Sequence, residues 1–196
     1  MKKIIYILIL NLILILNANS KSHNLIQINE LNKLFNDLSK INNIKDGDIL
    51  EKKIWAVWNK HPSQSNLTEK LELGTELMYQ GQYKYSLRVF TNIINTDPEW
   101  SEAWNKRATL LFLMKDYQKS LNDISRVLDL EPRHFGALSG RAQIYIDLEL
   151  YQKALKDLKA VSYTHLRAHE TREDLVMGLV RVKKNGGGGG GGGGGG

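Results

Sequence analysis

One interval organises this chain. Tyr83, Tyr117 and Tyr151 stand 34 residues apart, as do Gly74, Ala108 and Ala142, and Ser86, Ser120 and Ala154. Leu87, Leu121 and Leu155 keep the same phase, as do Phe90, Ile124 and Leu158, and Pro98 and Pro132. Small residues recur with small, aromatics with aromatics and proline with proline, so the period belongs to a structural unit and not to composition. A unit of this size cannot bury its apolar face alone and must stack on its neighbours.

Inside a unit the apolar residues fall at helical spacing, from Ser101 to Leu113 and again from Tyr117 to Leu130, which predicts two helices per unit. Pro98 and Pro132 stop one helix before the next begins, while Asp97 and Asp116 stand where a turn or cap needs a polar side chain. Gly74, Ala108 and Ala142 on the first helices, with Ser86, Ser120 and Ala154 on the second, let antiparallel partners approach closely. The predicted fold is all-α, a stack of helical hairpins.

On these residues, above all Trp104, Ala108, Tyr117, Ser120, Ile124 and Pro132 of the second unit, the sequence resembles the tetratricopeptide repeat (TPR). The resemblance runs from Leu67 to Ala160 and divides into units 67–100, 101–134 and 135–160, the last cut short in its second helix. It departs from the family where Lys70 and Leu138 replace the tryptophan, and where Arg107 and Arg141 stand in place of a usual leucine. The stretch from Trp104 to Gly140 is similar to a group of exported bacterial TPR proteins of poorly defined function.

The two arginines have partners in the pattern. Arg107 and Asp123 lie about equally far from their hairpin turn, Arg141 and Asp157 repeat them 34 residues later, and the first unit holds Leu73 and Val89 at the same places. Charge occurs with charge and apolar with apolar, which predicts ion pairs within each hairpin, bidentate where partly buried. The alternative is a pair of arginines displayed to an anionic ligand.

Ahead of the repeats, Leu31, Leu34, Phe35 and Leu38 mark one amphipathic helix and Ile49, Leu50, Ile54, Trp55 and Trp58 another, around a polar turn from Asn42 to Asp48. Residues 21–66 therefore read as a helical cap on the first repeat, with a linker from His61 to Asn66. Trp55 and Trp58 at helical spacing face a core in this reading; an aromatic ligand platform is the alternative.

The two ends read differently. Lys2-Lys3, an apolar run from Ile4 to Leu16 and the polar Asn17 to Ser20 have a signal-peptide layout over 1–20. The run is short of the roughly 20 apolar residues that span a bilayer, so cleavage after Ser20 and a periplasmic location are expected, with an uncleaved anchor as the alternative. There is no cysteine, hence no disulfide framework and no lipidated N-terminal cysteine. At the other end, Val161 to Thr171 resembles the translation of a transposase-type sequencing-library adapter, and a glycine run follows. Residues 161–196 are read as a disordered, non-native tail, and the zinc pair that His165 and His169 would offer is set aside with it. Residues 21–160 then hold 20 Lys and Arg against 18 acids, too even a balance for the basic stripe that nucleic acid demands.

No nucleophile elbow, phosphate loop, zinc-protease motif or cysteine nucleophile occurs. Among the native histidines His23, His61 and His134, only His134 stands at a repeat junction, where a backbone partner accounts for it. The chain is read as a binding module without cofactor or metal and not as an enzyme; a small periplasmic hydrolase is a remote alternative. The TPR resemblance implies a concave groove lined by the first helices, with Leu71, Thr75, Met78 and Tyr79, then Asn105, Thr109 and Phe112, then Ser139, Gln143 and Ile146 facing it. Tyr79, Asn105, Thr109, Phe112 and Gln143 are the candidate partner-binding residues. Only Asn105 fits the family's clamp for C-terminal carboxylates, so a partner peptide or helix lying on an apolar and amide surface is the expected ligand. Self-association in envelope assembly is the competing reading.

Overall fold

The computed structural model describes residues 24–41 and 43–164. The signal-like segment 1–20, His23, and the histidine pair and glycine run of the tail lie outside the described residues. Among the described residues there are helices and no strands: α1 (24–38), α2 (Ile44–Asn59), α3 (Ser65–Tyr79), α4 (Tyr83–Thr96), α5 (Ser101–Leu113), α6 (Tyr117–Leu130), α7 (Phe135–Asp147) and α8 (Tyr151–Thr164). The all-α stack predicted from periodicity is the observed architecture. α3 pairs with α4, α5 with α6 and α7 with α8; α4 then packs on α5 and α6 on α7. The first helices also touch in sequence, α3 with α5 and α5 with α7, which makes them the inner row of a curved solenoid.

Each periodic column has a task. A Cβ placed on Gly74 would lie 2.5 Å from Phe90 Cε1, so the glycine is the space that the phenylalanine ring fills. One unit later Ala108 shares a core cluster with Ile124; the added methyl goes with a smaller partner, as close packing requires. The serines do more than stay small. Ser86 Oγ donates to the Gly74 carbonyl at 2.7 Å and Ser120 Oγ to the Ala108 carbonyl at 2.8 Å, pinning together the two helices of the first and second hairpins.

The hairpin turns carry a further column. Gly81, Lys115 and Glu149 take φ of 73°, 61° and 61°. At these left-handed residues the helix ends and the next amide bonds back, Gln82 to Leu77, Asp116 to Leu111 and Leu150 to Tyr145, at 2.8, 2.9 and 2.7 Å. Only the first turn uses glycine, so Lys115 and Glu149 hold a conformation that costs an L-residue roughly 1–2 kcal/mol. Asp116 then caps α6 by accepting the Lys119 amide, and Asp97 accepts the Glu99 amide at 2.9 Å in the turn between units.

Two expectations differ from the structure. α8 runs to Thr164 and has 14 residues, as α4 and α6 do, so the third unit's second helix is not cut at Ala160, and residues 161–164 are helical where disorder was expected. Val161 stands 34 residues after Val127 and is only 5% exposed, an apolar residue where the repeat needs one. The N-terminal pair is also placed differently. Leu31, Phe35, Leu38, Ile54 and Trp58 share a core with Phe135, Leu138 and Val161, and α2 packs on α5. It therefore seats mainly on the second and third units and meets the first only at its edge, through Trp100 and beside Asn59. The third unit offers Phe135 and Leu138 as an apolar seat, and Gly136 leaves room beside them: a Cβ there would lie 2.5 Å from Trp55 Cη2.

Candidate functional site

The inner row of α3, α5 and α7 is the surface from which a site can be built, and the chain itself occupies part of it. Trp58 stacks on His134 with ring centroids 4.0 Å apart, and Trp55 meets Phe135 edge-on at 5.2 Å. The Trp100 indole N–H donates to the Trp58 carbonyl at 3.0 Å. Trp58 is buried, and its own indole N–H finds no acceptor among the described residues. Its contribution is packing. The tryptophans are thus core and not a ligand platform.

Beneath them lies a buried polar knot. Glu102 and His134 are both fully buried and 2.9 Å apart. His134 Nδ1 accepts the Ala137 amide at 3.2 Å, which leaves the ring proton on Nε2 to be donated to Glu102. Lys106 Nζ lies 3.1 Å from the other Glu102 oxygen, and Asn105 Nδ2 donates to the same carboxylate at 3.2 Å. Burial pushes the Glu102 carboxyl up, but the His134 hydrogen bond and the Lys106 charge outweigh it and hold its pKa below the usual value. His61 repeats the device in the linker. Its Nδ1 accepts the Gln64 amide at 3.0 Å and its Nε2–H donates to Asp97 at 2.8 Å, and that hydrogen bond holds Asp97 below the usual carboxylate range. Both histidines are structural in this geometry.

The arginines are equally committed. Arg107 Nε and Nη2 reach Asp123 at 2.7 and 2.8 Å, and Arg141 Nε and Nη2 reach Asp157 at 2.7 Å each. Arg107 also donates to Thr91 Oγ1 at 3.3 Å and lies over the Trp104 ring at 5.0 Å. The guanidiniums point into the hairpins, away from the groove.

The candidate partner-binding residues fall into two separate openings. Asn105, Thr109, Phe112 and Gln143 line a narrow cleft of about 80 Å³ between α5 and α7, floored by Ala108, Ile124 and Gly140. Within it Asn105 is buried, its amide spent on Glu102; Phe112 stacks on Tyr117 at 5.8 Å; Thr109 and Gln143 are exposed. Tyr79 lines a wider cleft of about 460 Å³ with Leu71, Glu72, Thr75, Glu76, Gln80, Lys106 and Asn59. Its side chain is 81% exposed. Leu71 and Met78, also assigned to the groove, are buried in the first unit's core. Sequence reasoning missed Glu72, Glu76 and Asn59, because their place depends on where α2 ends. Among the described residues no group of His, Asp and Glu is arranged to hold a metal ion, and no helix is long and apolar enough to cross a membrane.

No protein-family model matches the sequence, and comparison with curated proteins finds none similar to it. Solved structures do match. The TPR2B domain of yeast Sti1, in its complex with pHsp70, superposes with a TM-score of 0.55 at 18% identity, over 61% of this chain and 99% of that one. The fold is a TPR solenoid. The Yersinia enterocolitica type III secretion translocator chaperone SycD superposes with a TM-score of 0.57 at 15% identity, over 62% of this chain and 96% of that one. The first TPR domain of human RPAP3 gives 0.54 at 21% identity, over 61% of this chain and 95% of that one. In this TPR solenoid, unlike a bare stack, α2 rests on the inner row and divides the concave surface.

Proposed function

We propose that the protein is a protein-interaction scaffold that holds a peptide or partner segment along the open part of its concave surface. The observation that carries this reading is the exposure of Tyr79, Thr109 and Gln143 on the inner row while every histidine and arginine near it is engaged internally. The TPR-fold neighbours support the class of ligand: one is bound to the HSP90 peptide SRMEEVD, and SycD is in complex with a peptide of the translocator YopD. An acidic peptide of the first kind would face Glu72 and Glu76 here, so the partner differs in chemistry. Capture from a periplasmic extract, lost on combining Tyr79→Ala with Phe112→Ser, supports the reading; capture that survives both changes removes the groove from it.

The remaining elements belong to the same proposal. The charged start and apolar run of residues 1–20, with the likeness of Trp104 to Gly140 to a group of exported TPR proteins, support export to a periplasm. N-terminal sequencing of the secreted chain tests it; an intact Met1 in the soluble fraction contradicts it. Residues 161–196 are read as translated adapter; Val161 fits the repeat because a valine meets its demand there, whatever its origin. Sequencing the locus across the codons for Lys159 to Val161 decides whether the gene continues into a native ending of the third unit.

A further inference from the structure

We propose that the wider cleft, between α3 and the end of α2, binds the side chain of an arginine or lysine carried by a partner peptide. This rests on the groove reading above and adds the chemistry of the ligand.

The cleft holds more acceptors than donors. Glu72 is exposed and makes no side-chain hydrogen bond among the described residues, and Glu76 uses one carboxylate oxygen on Gln80 Nε2 at 3.0 Å. Thr75 Oγ1 donates to the Leu71 carbonyl at 2.7 Å, so its lone pairs remain to accept. Asn59 donates its amide to the Trp55 carbonyl at 2.8 Å, leaving its side-chain oxygen in the same position. Lys106, the basic residue in the lining, is already used: its ammonium is 3.1 Å from Glu102 and 5.7 Å from the centre of the Trp55 ring. The charge left uncompensated in the cleft is negative.

Tyr79 completes the arrangement. A phenol ring 81% exposed beside two carboxylates offers a face to a cation as the carboxylates offer oxygens. A guanidinium uses both, pairing with a carboxylate in its plane and stacking on a ring across it. Leu71 and Thr75 at the floor give the aliphatic stem of such a side chain an apolar bed. The occupant that charge complementarity selects is a cationic residue on an extended or helical segment, which an acidic carboxylate tail cannot replace.

The test uses the full chain and three end-blocked peptides of one length and one Leu/Ala framework, differing only in a central Arg, Gln or Glu. Binding is read by fluorescence anisotropy at low salt. The Arg peptide should bind about tenfold tighter than the Gln peptide and the Glu peptide most weakly. Glu72→Gln with Glu76→Gln should bring the Arg-to-Gln ratio to near one while the unfolding midpoint stays put. A ratio near one in the unaltered protein overturns the cation site, and so does a ratio that survives the double change. The groove reading is separable: equal binding of Arg and Gln peptides that is lost with Phe112→Ser keeps the groove and removes the cation site. No binding of any peptide up to about 1 mM also overturns the cation site, while partner capture still tests the groove.

Discussion

Along the inner row, the first turns of α5 and α7 and the later turns of α3, α5 and α7 are built from similar residues and used in opposite ways. At the starts, Trp55 and Trp58 seat on Gly136 and His134, and the polar groups below them close into a knot of Glu102, His134, Lys106 and Asn105. In the later turns, Tyr79, Thr109 and Gln143 face solvent. The difference lies in burial and not in composition. An aromatic residue sealed against a glycine contributes to stability, whereas one left 81% exposed beside two exposed carboxylates contributes little to folding and is available to a ligand. The chain's own N-terminal helices thus occupy part of the concave surface, and the rest is the part we propose for a partner.

Substitutions that respect this division should separate stability from binding. The largest expected effect is at the filled end. Glu102→Ala strips His134 and Lys106 of a buried anion and should cost about 3–5 kcal/mol in denaturant unfolding, against well under half of that if the knot is dispensable. Acid gives a graded version of the same experiment. Glu102 and Asp97 both have folded-state pKa values below their ordinary ones, so the unfolded chain binds more protons between the two values and stability rises with pH there. Their contribution is complete above the unfolded-state values of about 4 and is lost as pH falls through the depressed folded ones. A denaturation series should therefore be flat for these groups from pH 7 to about 5 and fall below about 4, less steeply with Asp97→Asn.

Smaller effects come from the repeats and the open end. Lys115→Gly relieves the left-handed turn residue and should raise stability by about 1 kcal/mol; a loss would mean that the turn does not hold that conformation. Tyr79→Ala should move stability by less than about 0.5 kcal/mol, as for an exposed side chain, while lowering peptide affinity. A cost comparable to that of the buried knot would place Tyr79 in the core and break the comparison.

The sequence carried the hairpins because the repeat demands similar side chains every 34 residues, and Gly74, Ala108, Ser86 and Ser120 are visible in one column or another. The Arg107 and Asp123 contact could be read in the same way, since the third unit repeats the charges and the first removes both. The turn column of Gly81, Lys115 and Glu149 was not legible: its members share a backbone angle and no side-chain property. Nor was the seat of α2. Trp55 and Trp58 announce burial, but nothing local distinguishes the first unit from the third as their partner, and Gly136 acquires its meaning only when Trp55 stands over it. The candidate groove was legible by register and not by depth, so exposed Tyr79 and buried Asn105 looked alike.

The placement of α2 on the inner row is the claim on which the divided groove depends. Hydrogen exchange across Ile44–Asn59, in the unaltered protein and in Gly136→Leu, tests it most directly. The account predicts slow exchange of α2 in the unaltered chain, comparable to α5. In Gly136→Leu, where the new side chain enters the space of Trp55, it predicts fast exchange of α1 and α2 with α3 to α6 still protected. Fast exchange of α2 before any substitution, or α2 protection indifferent to Gly136→Leu, would contradict it.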